Sequence, residues 1–226
     1  MTGVYCYSGT GHSRAVASFI AEKLQTTVCD IDFTRKTVEE TAVVVFPVYC
    51  QNIPSVVKAF LQAHSTKYWV LIATYGRISH GNVLWEAAKI AKGCVIAAAY
   101  IPMGHTYLDA STDFDKKALD GILERIQNPR PAILKRCKKN PLSNIFPNWR
   151  SRLGVKITRS RRCTGCNLCG EHCPVGAITA GRIHESCIRC LRCVSQCPEK
   201  ALSFQLHPAL KWYLRKSKKE TVTVYL

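Results

Sequence analysis

Two spacings of apolar residues alternate through the first half of the chain. Five continuous apolar runs predict strands, at 4–7, 28–31, 42–49, 68–74 and 94–101. Apolar residues at helical spacing predict four helices, one after Ser13 and the others at 54–64, 82–92 and 114–126. Such alternation indicates an α/β domain over residues 1–128, a parallel five-stranded sheet that is doubly wound, with helices on both faces. Ligands of these sheets bind beyond the carboxyl ends of the strands.

The first predicted strand runs into a loop that is rich in glycine and hydroxyl groups, Ser8-Gly9-Thr10-Gly11-His12-Ser13. Glycines let the backbone approach an anion, the hydroxyls can donate to it, and the dipole of the following helix attracts negative charge. The loop is neither a Gly-Lys-Ser/Thr nucleotide loop nor a full GxGxxG fingerprint, and it lacks a lysine for a triphosphate. It therefore predicts a monophosphate site.

Two further strand ends carry an aromatic residue beside turn residues. They are Pro47, Val48, Tyr49, Cys50, Gln51 and Asn52 after the third strand, and Thr74, Tyr75, Gly76 and Arg77 after the fourth. With the first loop, these ends make residues 2–128 resemble the flavodoxin family, in which three loops hold FMN. The resemblance implies that Ser8, Thr10, Gly11, His12 and Ser13 surround the phosphate. It also implies that Tyr49 and Tyr75 flank the isoalloxazine, and that backbone near Cys50, Gly76 and Arg77 meets its polar edge. A flavodoxin-like scaffold that binds no flavin is the alternative.

The second half of the chain is dominated by cysteine. The chain has thirteen cysteines, eight of them between residues 163 and 197, and this clustering favours metal ligation over a disulfide framework. They form two C-x2-C-x2-C-x3-C-P runs that repeat after 24 residues: the first run is Cys163, Cys166, Cys169 and Cys173, and the second run is Cys187, Cys190, Cys193 and Cys197. Three thiolates at this spacing wrap one face of a cubane cluster, while the fourth reaches the other cluster.

We therefore expect two [4Fe-4S] clusters with crossed ligands. Cys163, Cys166, Cys169 and Cys197 would hold the first-run cluster, and Cys187, Cys190, Cys193 and Cys173 the second-run cluster. Residues 154–206 resemble bacterial-type two-cluster ferredoxins, which implies a small α+β domain. Zinc is the main rival, although zinc sites usually take two pairs of ligands rather than runs of four.

Basic residues are concentrated between and after these two units. The formal net charge is +17, and residues 129–162 contain eleven lysines and arginines and no acidic residue. The prolines of this stretch predict an irregular connector, so we assign 129–153 as a basic linker, 154–206 as the ferredoxin domain and 207–226 as a basic tail. Such charge suits a solvated face, a docking surface for an acidic redox partner protein, or contact with nucleic acid or anionic lipid.

The order of the two units resembles the bacterial and archaeal family of flavodoxin-ferredoxin fusions. This resemblance implies an electron-transfer protein of anaerobic-type metabolism that relays electrons between FMN and two clusters. A flavin-dependent reductase of a small acceptor and a redox-sensing nucleic-acid-binding protein stay open as alternatives. A carrier is favoured, because the sequence has no NAD fingerprint, no paired carboxylates and no Cys/His pair in a catalytic context.

The overall composition is that of a folded protein, with 47% hydrophobic and 21% charged residues among 226. The N-terminus lacks the basic and apolar regions of a signal peptide, and the longest apolar stretch, at 94–103, is about half a membrane span. We expect a cytoplasmic protein without a transmembrane segment.

Overall fold

The computed structural model describes residues 1–31, 39–109, 111–144, 147–215 and 221–226, without the side chains of 147–150. Its strands within these residues are β1 (Thr2–Cys6), β2 (Val28–Asp30), β3 (Thr41–Pro47), β4 (Ser65–Tyr75), β5 (Lys92–Pro102), β6 (Val155–Arg159), β7 (Ile178–Thr179), β8 (Arg182–Ile183), β9 (Leu202–Leu206) and β10 (Thr223–Tyr225). Its α-helices are α1 (His12–Lys23), α2 (Ser55–Ala63), α3 (Val83–Ile90), α4 (Asp120–Gln127), α5 (Pro147–Gly154), α6 (Leu168–Glu171), α7 (Arg192–Ser195) and α8 (Pro208–Arg215).

Strands β1 to β5 form a parallel sheet in the order β2-β1-β3-β4-β5. This 2-1-3-4-5 order is typical of flavodoxin-like folds, and it reverses direction between β1 and β3. Helices α1 and α4 cover one face of the sheet and α2 and α3 cover the other, and each face buries its own apolar core. The sheet and its helices therefore form an α/β flavodoxin-like unit.

The prediction of five strands and a basic tail is corrected by β10. This strand pairs antiparallel with β5, with Val224 opposite Ala99, and makes the sheet six-stranded and mixed. Val222 and Val224 pack on one core and Tyr225 on the other. The alternating pattern Thr-Val-Thr-Val-Tyr at 221–225 is that of a strand with two different faces. The basic charge around it hid this signal.

Helix α4 begins later than the predicted start at residue 114. Side chains along the preceding segment accept hydrogen bonds from nearby backbone: Asp109 from the N–H of Ser111, Ser111 from that of Asp113, and Asp115 from that of Lys117. Such local bonds compete with the helical ladder and hold the segment in turns.

The cysteine-rich unit shows its internal repeat in the backbone. β6 pairs antiparallel with β9, and β7 with β8. Each run contains one short helix, α6 or α7, which follows a residue with left-handed backbone, Asn167 at φ 59° and Leu191 at φ 59°. Gly165 and Arg189 repeat the same conformation two residues earlier. The 24-residue repeat of the sequence is thus also a repeat of structure.

The linker is irregular over residues 129–140 and packs against the flavodoxin-like unit. The prediction of an irregular connector to residue 153 is corrected by α5, which begins at Pro147, a residue type that tolerates the first turn of a helix. The N–H of Ala132 donates to the carbonyl of Val95, and the N–H of Cys137 donates to Asn82 Oδ1. Lys139 Nζ lies 2.8 Å from Glu86 Oε1, with the lysine side chain only 12% exposed. Part of the basic charge is therefore neutralised inside the structure.

Within the described residues, no helix combines the length and the apolar character needed to span a bilayer.

Candidate cofactor sites

A cavity of about 1220 Å³ lies at the carboxyl ends of β3, β4 and β5. Its walls are the loops at 47–54, 74–79 and 103–107. The cysteine-rich unit contributes Ile188 and Arg189, and α8 closes another side. The cavity thus lies at the junction of the two units.

The first loop is held together by its own side chains. The N–H of Gly11, at φ 97°, donates to Ser8 Oγ at 3.1 Å, and Ser13 Oγ lies 2.8 Å from Thr74 Oγ1 in a buried position. His12 Nε2 donates to the carbonyl of Asp109, so Nδ1 accepts from the hydroxyl of Thr10 at 3.0 Å. Of the six predicted residues, His12 lines the cavity. The loop is a preformed turn at the edge of the cavity.

The second loop, residues 47–52, lines the cavity completely. Its tip is a tight turn, because the backbones of Tyr49 and Asn52 exchange two hydrogen bonds across Cys50 and Gln51. Both tip residues have left-handed backbone, at φ 49° and 64°, as a type I′ turn requires. The turn presents the ring of Tyr49 to the cavity.

The third loop contributes Thr74, Tyr75 and Gly76 to the wall, whereas Arg77 is outside the set of lining residues. The hydroxyl of Tyr75 donates to the carbonyl of Thr221, which fixes the ring. A Cβ at position 76 would lie 2.4 Å from the ring of His105, so only glycine fits there.

Sequence reasoning missed a fourth loop, after β5. Its residues Gly104, His105, Thr106 and Tyr107 line the cavity. Burial, with a smaller effect of nearby His12, lowers the pKa of His105 to about 4, so its ring is neutral near pH 7. This loop also carries an aromatic residue, Tyr107, near a turn residue, Gly104, which is the kind of signal that marked the loops after β3 and β4.

The second run forms a cavity of its own together with one cysteine of the first run. Cys173, Cys187, Cys190 and Cys193 line it, with apolar neighbours that include Ile178 and Leu191. This is the grouping that a crossed ligand set requires. Among the described residues, no three His, Cys, Asp or Glu side chains converge closely enough to hold a single metal ion.

Backbone donors support the fourth thiol of each run. The N–H of Ala177 donates to Cys173 Sγ at 3.1 Å, and the N–H of Ala201 donates to Cys197 Sγ at 3.3 Å. Burial, with smaller contributions from neighbouring cysteines, raises the pKa of Cys193 to about 12. Metal coordination deprotonates a thiol outright, and the two backbone donors suit the resulting thiolates of Cys173 and Cys197.

The second run is also the part of the cysteine-rich unit that touches the first loop. Arg192 donates to the carbonyl of Ser8 through Nε at 3.1 Å and Nη2 at 2.8 Å. The hydroxyl of Tyr107 donates to the carbonyl of Arg189 at 2.9 Å. A Cβ at Gly9 would lie 2.3 Å from the carbonyl oxygen of Cys190. Gly9 is therefore needed for the close approach of the two backbones.

Comparisons with known proteins identify the second unit. A family model of the 4Fe-4S binding domain matches residues 159–179 and 182–203. An uncharacterized ferredoxin of Methanocaldococcus jannaschii is 33% identical over 82 residues, which cover 32% of this chain and 54% of that protein. An uncharacterized protein of the same organism is 36% identical over 69 residues, which cover 30% of this chain and 27% of that protein. The chain spans about half and about a quarter of the lengths of these relatives.

A crystal structure of a provisionally assigned flavoprotein from Bacteroides uniformis aligns with 42% of this chain and 89% of its own, at 18% identity and a TM-score of 0.33. That score is too low to compare the folds. The assignment of the second unit depends on the matched residues and on the two complete cysteine runs within them. Residues 159–203 therefore form a ferredoxin-like 4Fe-4S domain, the module of an electron-transfer protein.

Proposed function

We propose that this protein relays electrons between FMN in the large cavity and two [4Fe-4S] clusters, and exchanges them with a redox partner protein. The observation that carries the proposal is the position of the second run. Its residues Ile188 and Arg189 line the large cavity, while Cys187 and Cys190 on either side of them line the cluster cavity. One short segment thus belongs to both cofactor sites.

The cavity residues fit a flat aromatic ligand with an anionic end. Tyr49, Tyr75 and Tyr107 would enclose the ring system, and the first loop, with Thr10 and His12, lies where a helix N-terminus favours a phosphate. When bound, FMN exchanges one or two electrons, and each cluster exchanges one. The protein's own part is to bring the two sites together and to screen them from water.

The two cluster sites differ in exposure, which suggests opposite ends of the relay. Cys187 and Cys190 are each 8% exposed, and the Cys190 backbone lies against Gly9 of the flavodoxin-like unit, whereas Cys166 of the first run is exposed. Three exposed arginines precede the first run, at Arg159, Arg161 and Arg162. We place the docking surface for an acidic partner at this end.

The basic linker contributes fewer free charges to a docking surface than its sequence predicts. Of Lys135, Arg136, Lys138 and Lys139, the last is paired with Glu86, and Arg136 lies over the ring of Trp85 at 5.2 Å. Their charges are partly engaged by the flavodoxin-like unit.

Anaerobic purification with iron, sulfide and flavin analysis tests the proposal. The expected result is about eight iron, eight acid-labile sulfide and one FMN per chain. Four iron or fewer after anaerobic reconstitution contradicts the pair of clusters, and a chain that binds riboflavin as tightly as FMN contradicts the phosphate site.

A second candidate function is a reductase of a small acceptor. Ligand pockets usually have volumes of about 300–1,000 Å³, and this cavity extends beyond the flavin loops to Leu210 and Tyr213 of α8. The cavity therefore has room for a second molecule beside the flavin. Steady-state turnover of a small acceptor with reduced ferredoxin as donor separates this candidate from a carrier, which shows none.

A further inference from the structure

Tyr7 carries a polar group that the flavodoxin-like unit leaves unsatisfied. The residue follows β1 and is 1% exposed. Among the described residues, its buried hydroxyl has no hydrogen-bond partner of normal geometry. A buried hydroxyl without a partner costs roughly 1–3 kcal/mol, so a position like this one calls for an explanation.

The surroundings of Tyr7 come from both cofactor sites. Its ring meets that of Tyr49 edge-on, with 6.1 Å between centroids, and Tyr49 lines the large cavity. The guanidinium of Arg192 lies 5.3 Å from the ring centroid of Tyr7 while it donates to the carbonyl of Ser8. The Tyr7 hydroxyl interacts with the thiol of Cys190, a predicted ligand of the second-run cluster. The Cys190 carbonyl and the Tyr49 hydroxyl both lie against Gly9, at 2.3 and 3.1 Å from where its Cβ would be.

We propose that Tyr7 donates its hydroxyl hydrogen to the iron-bound thiolate of Cys190 and thereby raises the reduction potential of the second-run cluster. A thiolate is a charged acceptor, and hydrogen bonds to charged groups are among the stronger ones in proteins. Each one-electron reduction adds negative charge to the cluster and its ligands, so a donor stabilises the reduced form more than the oxidised form. The hydroxyl is supplied by the flavodoxin-like unit, which thus sets the potential of a cluster in the other unit.

The neighbouring hydroxyl of Tyr49 is the competing partner for Tyr7. A bond between the two tyrosines would leave the cluster potential independent of Tyr7. Two observations favour the Cys190 thiolate over Tyr49 as the partner of Tyr7. Cys190 is buried, so water is kept away from the thiolate. Arg192 contacts both Ser8 and the Tyr7 ring, which fixes the ring beside the thiolate.

The test compares Tyr7→Phe with Tyr5→Phe. Tyr5 is a matched control, since it is fully buried two residues earlier, within β1, and its hydroxyl donates to Glu39 rather than facing either cysteine run. Redox titrations of the holoprotein, followed by electron paramagnetic resonance, give the potential of each cluster. The second-run cluster is identified as the one whose signal changes in Cys193→Ser.

Tyr7→Phe is expected to disfavour reduction of the second-run cluster roughly tenfold, which is about 59 mV for a one-electron couple. The potentials of the first-run cluster and of FMN should stay within about a third of that shift. No shift, an equal shift in Tyr5→Phe, or a shift of the first-run cluster instead would each overturn the inference.

The inference rests on the proposed pair of clusters. Iron analysis distinguishes a failure of the inference from a failure of the proposed function. About eight iron in the unaltered chain and in both variants leaves the proposed function standing, and the potential alone then decides the role of Tyr7. An unaltered chain that binds no second-run cluster overturns both.

Discussion

The two cysteine runs share one spacing and one backbone pattern, yet they face different surroundings. Between its first three cysteines, the second run has Ile188, Arg189, Leu191 and Arg192, where the first run has Thr164, Gly165, Asn167 and Leu168. Arg189 donates to the carbonyl of Val155, and Arg192 donates to that of Ser8. Thr164 and Gly165 are exposed, as is Cys166.

This difference shows how a repeated motif acquires two roles. The cysteines set which metal core is bound, while the residues between them set what that core contacts. In the second run Arg192 bonds to the flavodoxin-like unit and Ile188 packs on its core, so these two side chains anchor the cluster site there. In the first run small polar residues leave the site open to solvent, which suits exchange with a partner.

The largest expected effect comes from a substitution that tests whether the two runs share ligands. Cys173→Ser lies in the first run, but it should damage the second-run cluster, because Cys173 lines the same cavity as Cys187, Cys190 and Cys193. Iron content should fall from about eight to about four per chain, with loss of the second-run signal. Cys137→Ser, outside both runs, is the control and should retain all the iron. Loss of the first-run signal instead would contradict the crossed ligation.

The anchoring of the second run can be weakened without removing a cysteine. Arg192→Ala removes two hydrogen bonds to the Ser8 carbonyl and the contact with the Tyr7 ring. We expect the free energy of unfolding to fall by about 1.5–3 kcal/mol, the range for hydrogen bonds to charged groups. Urea denaturation of the anaerobic holoprotein measures this change.

Arg161→Ala is the matched control for this anchoring. Arg161 is exposed beside the first run, so its removal should change the free energy of unfolding by less than about 0.5 kcal/mol. Equal changes in the two variants would show that the two runs are anchored alike.

The features that depend on neighbouring residues could be predicted from the sequence, whereas the contacts between residues far apart in the chain could not. The strands of the flavodoxin-like unit and the two cysteine runs are encoded in short patterns of burial and ligand spacing. The bond between Arg192 and Ser8 joins residues 184 positions apart, and no spacing rule predicts such a pair. The loop after β5 carries a readable signal, whereas the alternation that marks β10 covers only five residues next to a strongly basic stretch.

The fourth loop contacts the second run through the bond from Tyr107 to Arg189, and His105 of the same loop allows a test by pH. The folded-state pKa of His105, lowered to about 4 by burial and His12, lies below the ordinary value of 6.5. The unfolded chain therefore binds a proton first as the pH falls, and the stabilisation present above pH 6.5 is lost towards pH 4. Between pH 7 and pH 5 this loss is about 2 kcal/mol.

Denaturation of the holoprotein at a series of pH values measures this loss as the difference between the unaltered chain and His105→Gln. The exposed His184 supplies the control variant His184→Gln. We expect a flatter pH dependence only for His105→Gln. Parallel curves for all three proteins would mean that His105 titrates alike in the folded and unfolded chains.

The smallest expected effect concerns the open end of the relay. Arg161 and Arg162 are exposed next to Cys163, and Cys166 of the same cluster set is exposed as well, so an acidic partner docked there would approach the first-run cluster. Charges at the rim of an interface act mainly on the association rate, and they are screened as the Debye length shortens from about 30 Å at 0.01 M to about 8 Å at 0.15 M salt.

Replacing both arginines by glutamine should lower the second-order rate of electron transfer with an acidic bacterial ferredoxin roughly threefold to tenfold at 0.01 M salt, and much less at 0.15 M. Stopped-flow spectroscopy measures this rate. Lys139→Gln is the informative control, because that lysine belongs to the same basic stretch but is buried against Glu86. If position in the structure rather than total charge governs docking, Lys139→Gln leaves the rate unchanged at both salt concentrations. An equal decrease in both variants would mean that net charge, rather than the position of the charges, governs the rate. It would contradict the distinction between an open first run and an anchored second run.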